Sequence, residues 1–193
     1  MEKKRIIGST IGTIVIVLLL CVALLATKYN SFVKLNEQVS QAYSQVDNVI
    51  QRRADLIPNL VESVKGYADH ESETLQNVVE ARAGVKKADT PQELAQADAE
   101  LSRSINVMLE AYPELKSDKL FTQLMDELAG AENRISVERK NYNGAVQKFN
   151  TGIKRFPGNI IANMTGFTEK PYFEADESAK TVPSVNFSEL TTT

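Results

Sequence analysis

The amino-acid sequence predicts an all-α protein: an N-terminal transmembrane helix followed by an antiparallel helical bundle with two long and two shorter helices. Three observations carry that expectation. Residues 6–26 are an uncharged run of 21 residues, enough to cross the ~30 Å hydrocarbon layer as a helix. Phe32, Leu35, Val39, Ala42, Val46, Val49, Arg53, Leu56, Leu60, Ser63 and Tyr67 follow one another at spacings of three and four, and nine of these eleven are apolar. That period keeps one seam facing a partner helix. Composition agrees, with 9 Gly, 6 Pro and no Trp in 193 residues, and frequent Ala, Leu, Glu, Gln and Lys, all strong helix formers.

Residues 1–5 form a basic N-terminus, in which Lys3, Lys4 and Arg5 outweigh Glu2 by two charges. The net charge of the whole chain is -3, so the part beyond the anchor carries -5, a poor match to nucleic acid. The run 6–26 is read as a retained span rather than a cleaved secretory signal. Its apolar region exceeds the usual 7 to 15 residues, and Leu24-Leu25-Ala26 is a weak cleavage site. Leu18-Leu19-Leu20 ahead of Cys21 also lacks the small residue of a lipidation site. Basic residues before the span outnumber Lys28 and Lys34 after it, which places the N-terminus in the cytoplasm and the bundle outside it, at a bacterial cell membrane. The lone cysteine, Cys21, excludes an intramolecular disulfide.

The bundle is expected over residues 28–167. Its first helix runs to about Ala68, and a second apolar column, Tyr43, Ile50, Ile57 and Val64, widens the seam for two neighbours. At ~1.5 Å per residue such a helix reaches about 60 Å. Pro58 removes one backbone donor, which predicts a bend near Ala54. Residues 72–87 form a short second helix. Thr90-Pro91-Gln92-Glu93 starts the third as a capping box with proline at the first helical position, and Pro113 stops it. Ser117-Asp118 caps a fourth, whose seam is Phe121, Leu124, Leu128, Ala131, Ile135, Glu138, Tyr142, Ala145, Phe149, Gly152 and Phe156. Residues 168–193 are polar and expected to be loosely ordered.

The long helices are antiparallel if short connections join neighbours, and the shorter two cover only part of them. A two-helix stalk showing Phe32, Leu35, Val39, Phe149, Ile153 and Phe156 is then incompletely buried. Either it self-associates or binds a partner, or residues 160–167 fold back over it. Ile160, Ile161, Met164 and Phe167 are spaced to share one side of a short helix. They carry two readings of equal weight: a membrane-interface contact with lipid, flanked by Lys28, Lys34, Lys148, Lys154 and Arg155, or a cap on the stalk.

Arg52-Arg53-Ala54-Asp55-Leu56-Ile57-Pro58-Asn59-Leu60-Val61, Ala111-Tyr112-Pro113-Glu114-Leu115-Lys116, Glu132-Asn133-Arg134-Ile135, and Tyr142-Asn143 through Phe149-Asn150 to Phe156-Pro157 occur in this order. In these motifs the chain resembles the LemA family of bacterial membrane proteins, from the anchor to Phe173. The resemblance implies a single-pass anchor followed by a helical domain, and supplies no activity, some members being linked to membrane organisation. Tyr43 and Val46 stand where the family pattern suggests a tryptophan and an isoleucine.

Nothing in the sequence points to an enzyme. His70 is the only histidine, so paired Glu-x-x-His ligands are impossible and a Cys-His site would have to use a cysteine inside the span. Asp69-His70-Glu71 is contiguous, which scatters the three side chains around a helix, and no phosphate loop, dinucleotide fingerprint or zinc spacing occurs. No catalytic, metal or cofactor residues are expected. Arg53 and Glu138 are polar residues in the two long seams and are expected to pair as a structural lock on register. Arg52, Asp55, Glu132, Asn133, Arg134 and Arg139 stand near them in sequence. The expected role is a membrane-anchored scaffold or adaptor acting through homo-oligomers or a membrane-protein partner. Two alternatives are an accessory or regulator of a membrane protease or stress system, and a small-molecule or ion sensor at the mid-bundle polar cluster.

Overall fold

The computed structural model describes residues 2–65 and 73–174; Tyr67, the Asp69-His70-Glu71 triplet and most of the polar tail lie outside them. Among the described residues there are five α-helices, α1 (Glu2–Lys65), α2 (Glu73–Lys87), α3 (Pro91–Ala111), α4 (Lys119–Lys154) and α5 (Gly158–Thr165), a 3-10 turn at Pro113–Ser117, and no strand. The fold is all-α, as the periodicity predicts. Anchor and first bundle helix are one continuous α1. At their junction Thr27 Oγ1 donates to the Ala23 carbonyl at 2.8 Å and stays within the helical register. Residues 14–26 are exposed along their whole length, and α1 is the one helix, among the described residues, long and apolar enough to cross a membrane.

Pro58 does not end α1. It leaves the Ala54 carbonyl without its helical donor, and Arg82 Nε of α2 donates to that carbonyl at 3.0 Å. Gln51 Nε2 donates to the Val85 carbonyl in the last turn of α2, and Lys86 pairs with Asp55 at 2.8 Å. Three polar links therefore stitch α2 to α1 around the proline. The α3 start is the capping box that Thr90 and Glu93 predict: Glu93 N–H donates to Thr90 Oγ1, and Glu93 Oε2 accepts from the Asp89 and Thr90 N–H groups. The Asp89 N–H, with those Thr90 contacts, holds the Glu93 carboxyl below its ordinary range. Asp118 caps α4 by accepting from the Phe121 N–H at 3.0 Å.

The chain forms two compact units, Met1–Gln45 with Glu138–Pro171, and Val46–Val137 with Tyr172–Thr193. In the second, α2 and α3 form a hairpin in which Gly84 faces Ala97, close enough that a Cβ at 84 would meet the Ala97 methyl at 3.9 Å. Both predicted columns of α1 are buried here, Val46, Arg53 and Leu60 of the seam together with Ile50, Ile57 and Val64 of the column that widens it, while Val49 and Leu56 of the seam are only half-buried.

In the first unit the early part of α1 runs antiparallel to the end of α4, with Phe32 against Gly152 and Tyr43 against Tyr142 at 6.0 Å between ring centroids. A Cβ at position 158 would strike the Phe32 ring at 2.8 Å and collide with the Gly152 carbonyl oxygen, so only glycine lets α5 start there. The buried column of α4 is Tyr142, Val146, Phe149 and Ile153, not the predicted 142, 145, 149, 152 and 156. The helix ends at Lys154, so Phe156 leaves the register and is 81% exposed. Residues 168–174, the described start of the tail, are held against α4. Asn150 grips the backbone of Lys170 on both sides, accepting from its N–H and donating to its carbonyl at 2.8 Å each, and Tyr142 Oη donates to the Pro171 carbonyl at 2.9 Å. Phe173 is buried.

The Ala54 contact makes a specific prediction. Arg82→Met strands a part-buried carbonyl and should lower stability by about 1–3 kcal/mol in denaturant melts. In a Pro58→Ala background the restored helical N–H serves Ala54, and the same change should cost much less. Equal losses in both backgrounds would mean that Arg82 does not substitute for the missing donor.

Candidate functional site

The mid-bundle polar cluster sits inside the second unit. Arg53 is 5% exposed; its Nη1 donates to Asp98 Oδ1 at 2.9 Å and forms an ion pair with Glu132 Oε2 at 2.7 Å. Asp98, on α3, is 1% exposed. The expected Arg53–Glu138 pair is therefore corrected. Arg53 takes its partners from α3 and from an earlier turn of α4, while Glu138 is half-buried and accepts from the Asn141 side chain at 3.1 Å, one turn along its own helix. Seam position alone misassigned the partner because α3 brings a carboxylate to Arg53 that a two-helix reading lacks. Asp98 was detectable: it lies four residues after Leu94 and three before Leu101, in the buried stripe of α3.

Two carboxylates engage one guanidinium, and Arg53 Nε is left without a hydrogen-bond partner. The cluster holds no nucleophile and no metal-like convergence; among the described residues no group of three His, Cys, Asp or Glu side chains is placed to hold a metal ion. It links three helices, α1, α3 and α4, through one guanidinium. The other polar residues near it disperse. Asp55 is fully exposed and its carboxyl is held below the ordinary range chiefly by the hydrogen bond from Lys86. Arg52 and Arg134 instead line a groove of about 480 Å³ between α1 and α4 with Val49, Leu56, Asp126, Glu127, Gly130 and Ala131.

In the first unit, the four residues expected to share one side of a short helix divide. Ile161 is 4% exposed and points inward, whereas Ile160 and Met164 are 48% and 74% exposed. Phe167 lies beyond α5, after Gly166 at φ 78°. The N–H groups of Gly166 and Phe167 both reach the Ala162 carbonyl, at 2.9 and 3.1 Å. This left-handed cap swings the Phe167 ring onto Tyr29, Phe32 and Phe149, at centroid distances of 6.0, 5.9 and 6.0 Å. Ile161 and Phe167 cap the stalk; Ile160 and Met164 do not. Nearby, burial and to a lesser degree Tyr43 push the Tyr142 phenol up to about 12. Asn150, buried and joined to Lys170, is a polar core residue that sequence reading passed over, although it directly follows the buried Phe149.

Two measurements check this geometry. Arg53→Met should cost about 3–5 kcal/mol because it strands buried Asp98, and Arg53→Met with Asp98→Leu should recover much of that loss, whereas Arg53→Met with Glu138→Leu should be additive. Coupling to Glu138 instead of Asp98 would sink the assignment. For Tyr142, a phenol raised from about 10 to about 12 on folding stabilises the neutral form. Its contribution is complete below pH 10 and is lost as pH climbs towards 12. A tyrosinate absorbance titration of the folded chain should show a late-ionising component that is absent in Tyr142→Phe.

Comparison with known proteins now bears on the assembled fold. The LemA family model matches residues 42–187. Protein LemA of Metamycoplasma hominis is 27% identical over 152 residues, covering 77% of this chain and 69% of that protein. Magnetosome protein MamQ 2 of Paramagnetospirillum magneticum is 27% identical over 206 residues, covering 90% and 76% respectively. Magnetosome protein MamQ of Magnetospirillum gryphiswaldense is 25% identical over 186 residues, covering 81% and 68%. The matched stretch takes in the Arg53 cluster, the Pro58 region and the Asn150 clasp together, and on that match the chain belongs to the LemA family.

Proposed function

We propose that this chain is a membrane-anchored helical scaffold that works by pairing with a second copy of itself, its N-terminus in the cytoplasm and its bundle outside. One observation carries the reading: the groove between α1 and α4 in the second unit. Val49 and Leu56 are only half-buried along it, and Gly130 leaves its floor open, with nothing within 4 Å of a Cβ placed there. Val137, 57% exposed, lies two helical turns further along α4. Arg52 and Arg134 border the groove together with Asp126 and Glu127. Mixed rims around an apolar strip are self-complementary. A two-fold arrangement sets the arginines of one copy against the carboxylates of the other, which is the pairing a closed homodimer requires.

The charge difference across the span supports the orientation. The locked state of Arg53 speaks against a sensor built on that cluster, because both carboxylates that face it are already engaged.

The test places one cysteine at the groove, Leu56→Cys in a Cys21→Ser background, in native membranes. A membrane-permeant bifunctional maleimide should give a dimer of this chain, and Gly130→Leu, which builds into the groove from a position where a Cβ meets nothing within 4 Å, should abolish it. An impermeant maleimide should label the same cysteine from outside once the outer barrier is opened. A single crosslinked band with a different protein would replace the scaffold by an accessory role. No crosslink at all would remove the groove as an interface.

A further inference from the structure

We propose that the turn between α4 and α5, with the outer face of α5, is a second membrane contact: an apolar row set in a basic collar that rests on an anionic bilayer surface, in addition to the span. The row is Phe156, Ile160 and Met164. They follow at i, i+4 and i+8, and are 81%, 48% and 74% exposed. The opposite side of the same short element is fully committed, with Gly158, Ile161 and Ala162 buried. Ile160 and Met164 lie one turn apart on the eight-residue α5 and Phe156 stands exposed in the turn just before it, which together exceed the scattered exposure that needs no explanation.

What covers the row follows from where it stands. Phe167, just after α5, packs on Tyr29, and Gly158, which opens α5, lies against Phe32. Tyr29 is three residues and Phe32 six residues past the end of the uncharged run at Ala26, so by the helical rise α5 lies about 5–9 Å beyond the hydrocarbon edge. That is the depth of the headgroup region, where an amphipathic helix buries its apolar face.

Charge selects the lipid. Outside the span, the first unit (residues 27–45 and 138–171) contains Lys28, Lys34, Arg139, Lys140, Lys148, Lys154, Arg155 and Lys170 against Glu37, Glu138 and Glu169. This is an excess of five positive charges in a chain whose total is -3. The second unit is correspondingly acidic at -10, once the two net positive charges of residues 1–26 are counted. Lys28, Lys34, Lys148 and Arg155 are exposed, while Lys154 is engaged by Glu169 at 2.8 Å. Each basic side chain close to an anionic surface adds roughly 1 kcal/mol of attraction. A neutral bilayer or a protein groove would not call for this segregation.

The full-length chain, reconstituted in vesicles, allows a direct test, since it has no tryptophan of its own. Met164→Trp places an indole in the row, and Phe167→Trp places one in the cap as a control. In phosphatidylglycerol vesicles carrying lipid brominated near the headgroup, Met164→Trp should emit to the blue and lose intensity, and both effects should weaken with Lys148→Glu and Arg155→Glu together and with added salt. The control should be indifferent to bromine. Water-like emission from Met164→Trp that bromine leaves unchanged would overturn the proposal. Blue emission untouched by bromine would overturn it as well, and assign the row to a protein neighbour.

Discussion

The apolar surface of α1 is wider than one antiparallel partner can cover, and this constraint shapes everything else in the molecule. In the second unit, Val46, Ile50, Ala54, Ile57, Leu60 and Val64 present more than a single seam, and the α2–α3 hairpin supplies the second neighbour. In the first unit there is no hairpin. Phe32 is buried there all the same, because α5 turns back and the left-handed Gly166 returns Phe167 to the stalk. Burial of each large apolar side chain contributes about 1.5–3 kcal/mol, so a bare two-helix stalk would forgo several such contributions. The incompletely buried stalk predicted from helix lengths is closed by its own chain, on its inner side only.

Several of the polar groups that enter these interiors answer a specific vacancy in bonding. Arg82 answers the carbonyl that Pro58 strands, and Asn150 answers both backbone groups of Lys170. Asp98 and Glu132 answer Arg53. An amide or guanidinium that satisfies backbone makes its neighbours harder to replace without making them reactive, since an unmet buried donor or acceptor costs about 1–3 kcal/mol. The same logic explains why the motif around residues 52–61 reads as distinctive while lacking chemistry: Arg53, Ala54, Asp55 and Pro58 each take part in joining α1 to another helix.

Much of this was legible in the sequence, and the limits are physical. Period and capping located α2, α3 and α4, because Pro91, Thr90, Pro113 and Asp118 act locally and their bonds close within a few residues. The uncharged run was legible for the same reason. Partner choice was not, since it depends on which helix arrives at a seam. Arg53 finds Asp98 rather than Glu138 because α3 occupies the second face of α1, and periodicity along one helix carries no record of that. The end of α4 was misread when the seam was extended to Phe156 past the last helical residue, Lys154. The clasp on residues 168–174 escaped because an extended strap has no period, and its only sequence signal is Asn150 at a core position.

The surroundings of two of the apolar surfaces left exposed among the described residues distinguish what each is suited to meet. Around Val49 and Leu56 both signs of charge occur close together, Arg52 and Arg134 beside Asp126 and Glu127. A lipid surface of one sign would gain from half of these groups and be repelled by the rest, whereas a protein can answer all of them. Around Phe156, Ile160 and Met164 the exposed charges Lys148, Lys154 and Arg155 outnumber Glu169, so one sign predominates. A protein partner would need a dense acidic face to match them, while an anionic bilayer presents that potential without any sequence of its own. Salt therefore separates the two surfaces: screening weakens attraction where charges of one sign face an opposite sheet, and has a smaller effect where close pairs of opposite sign are excluded from water.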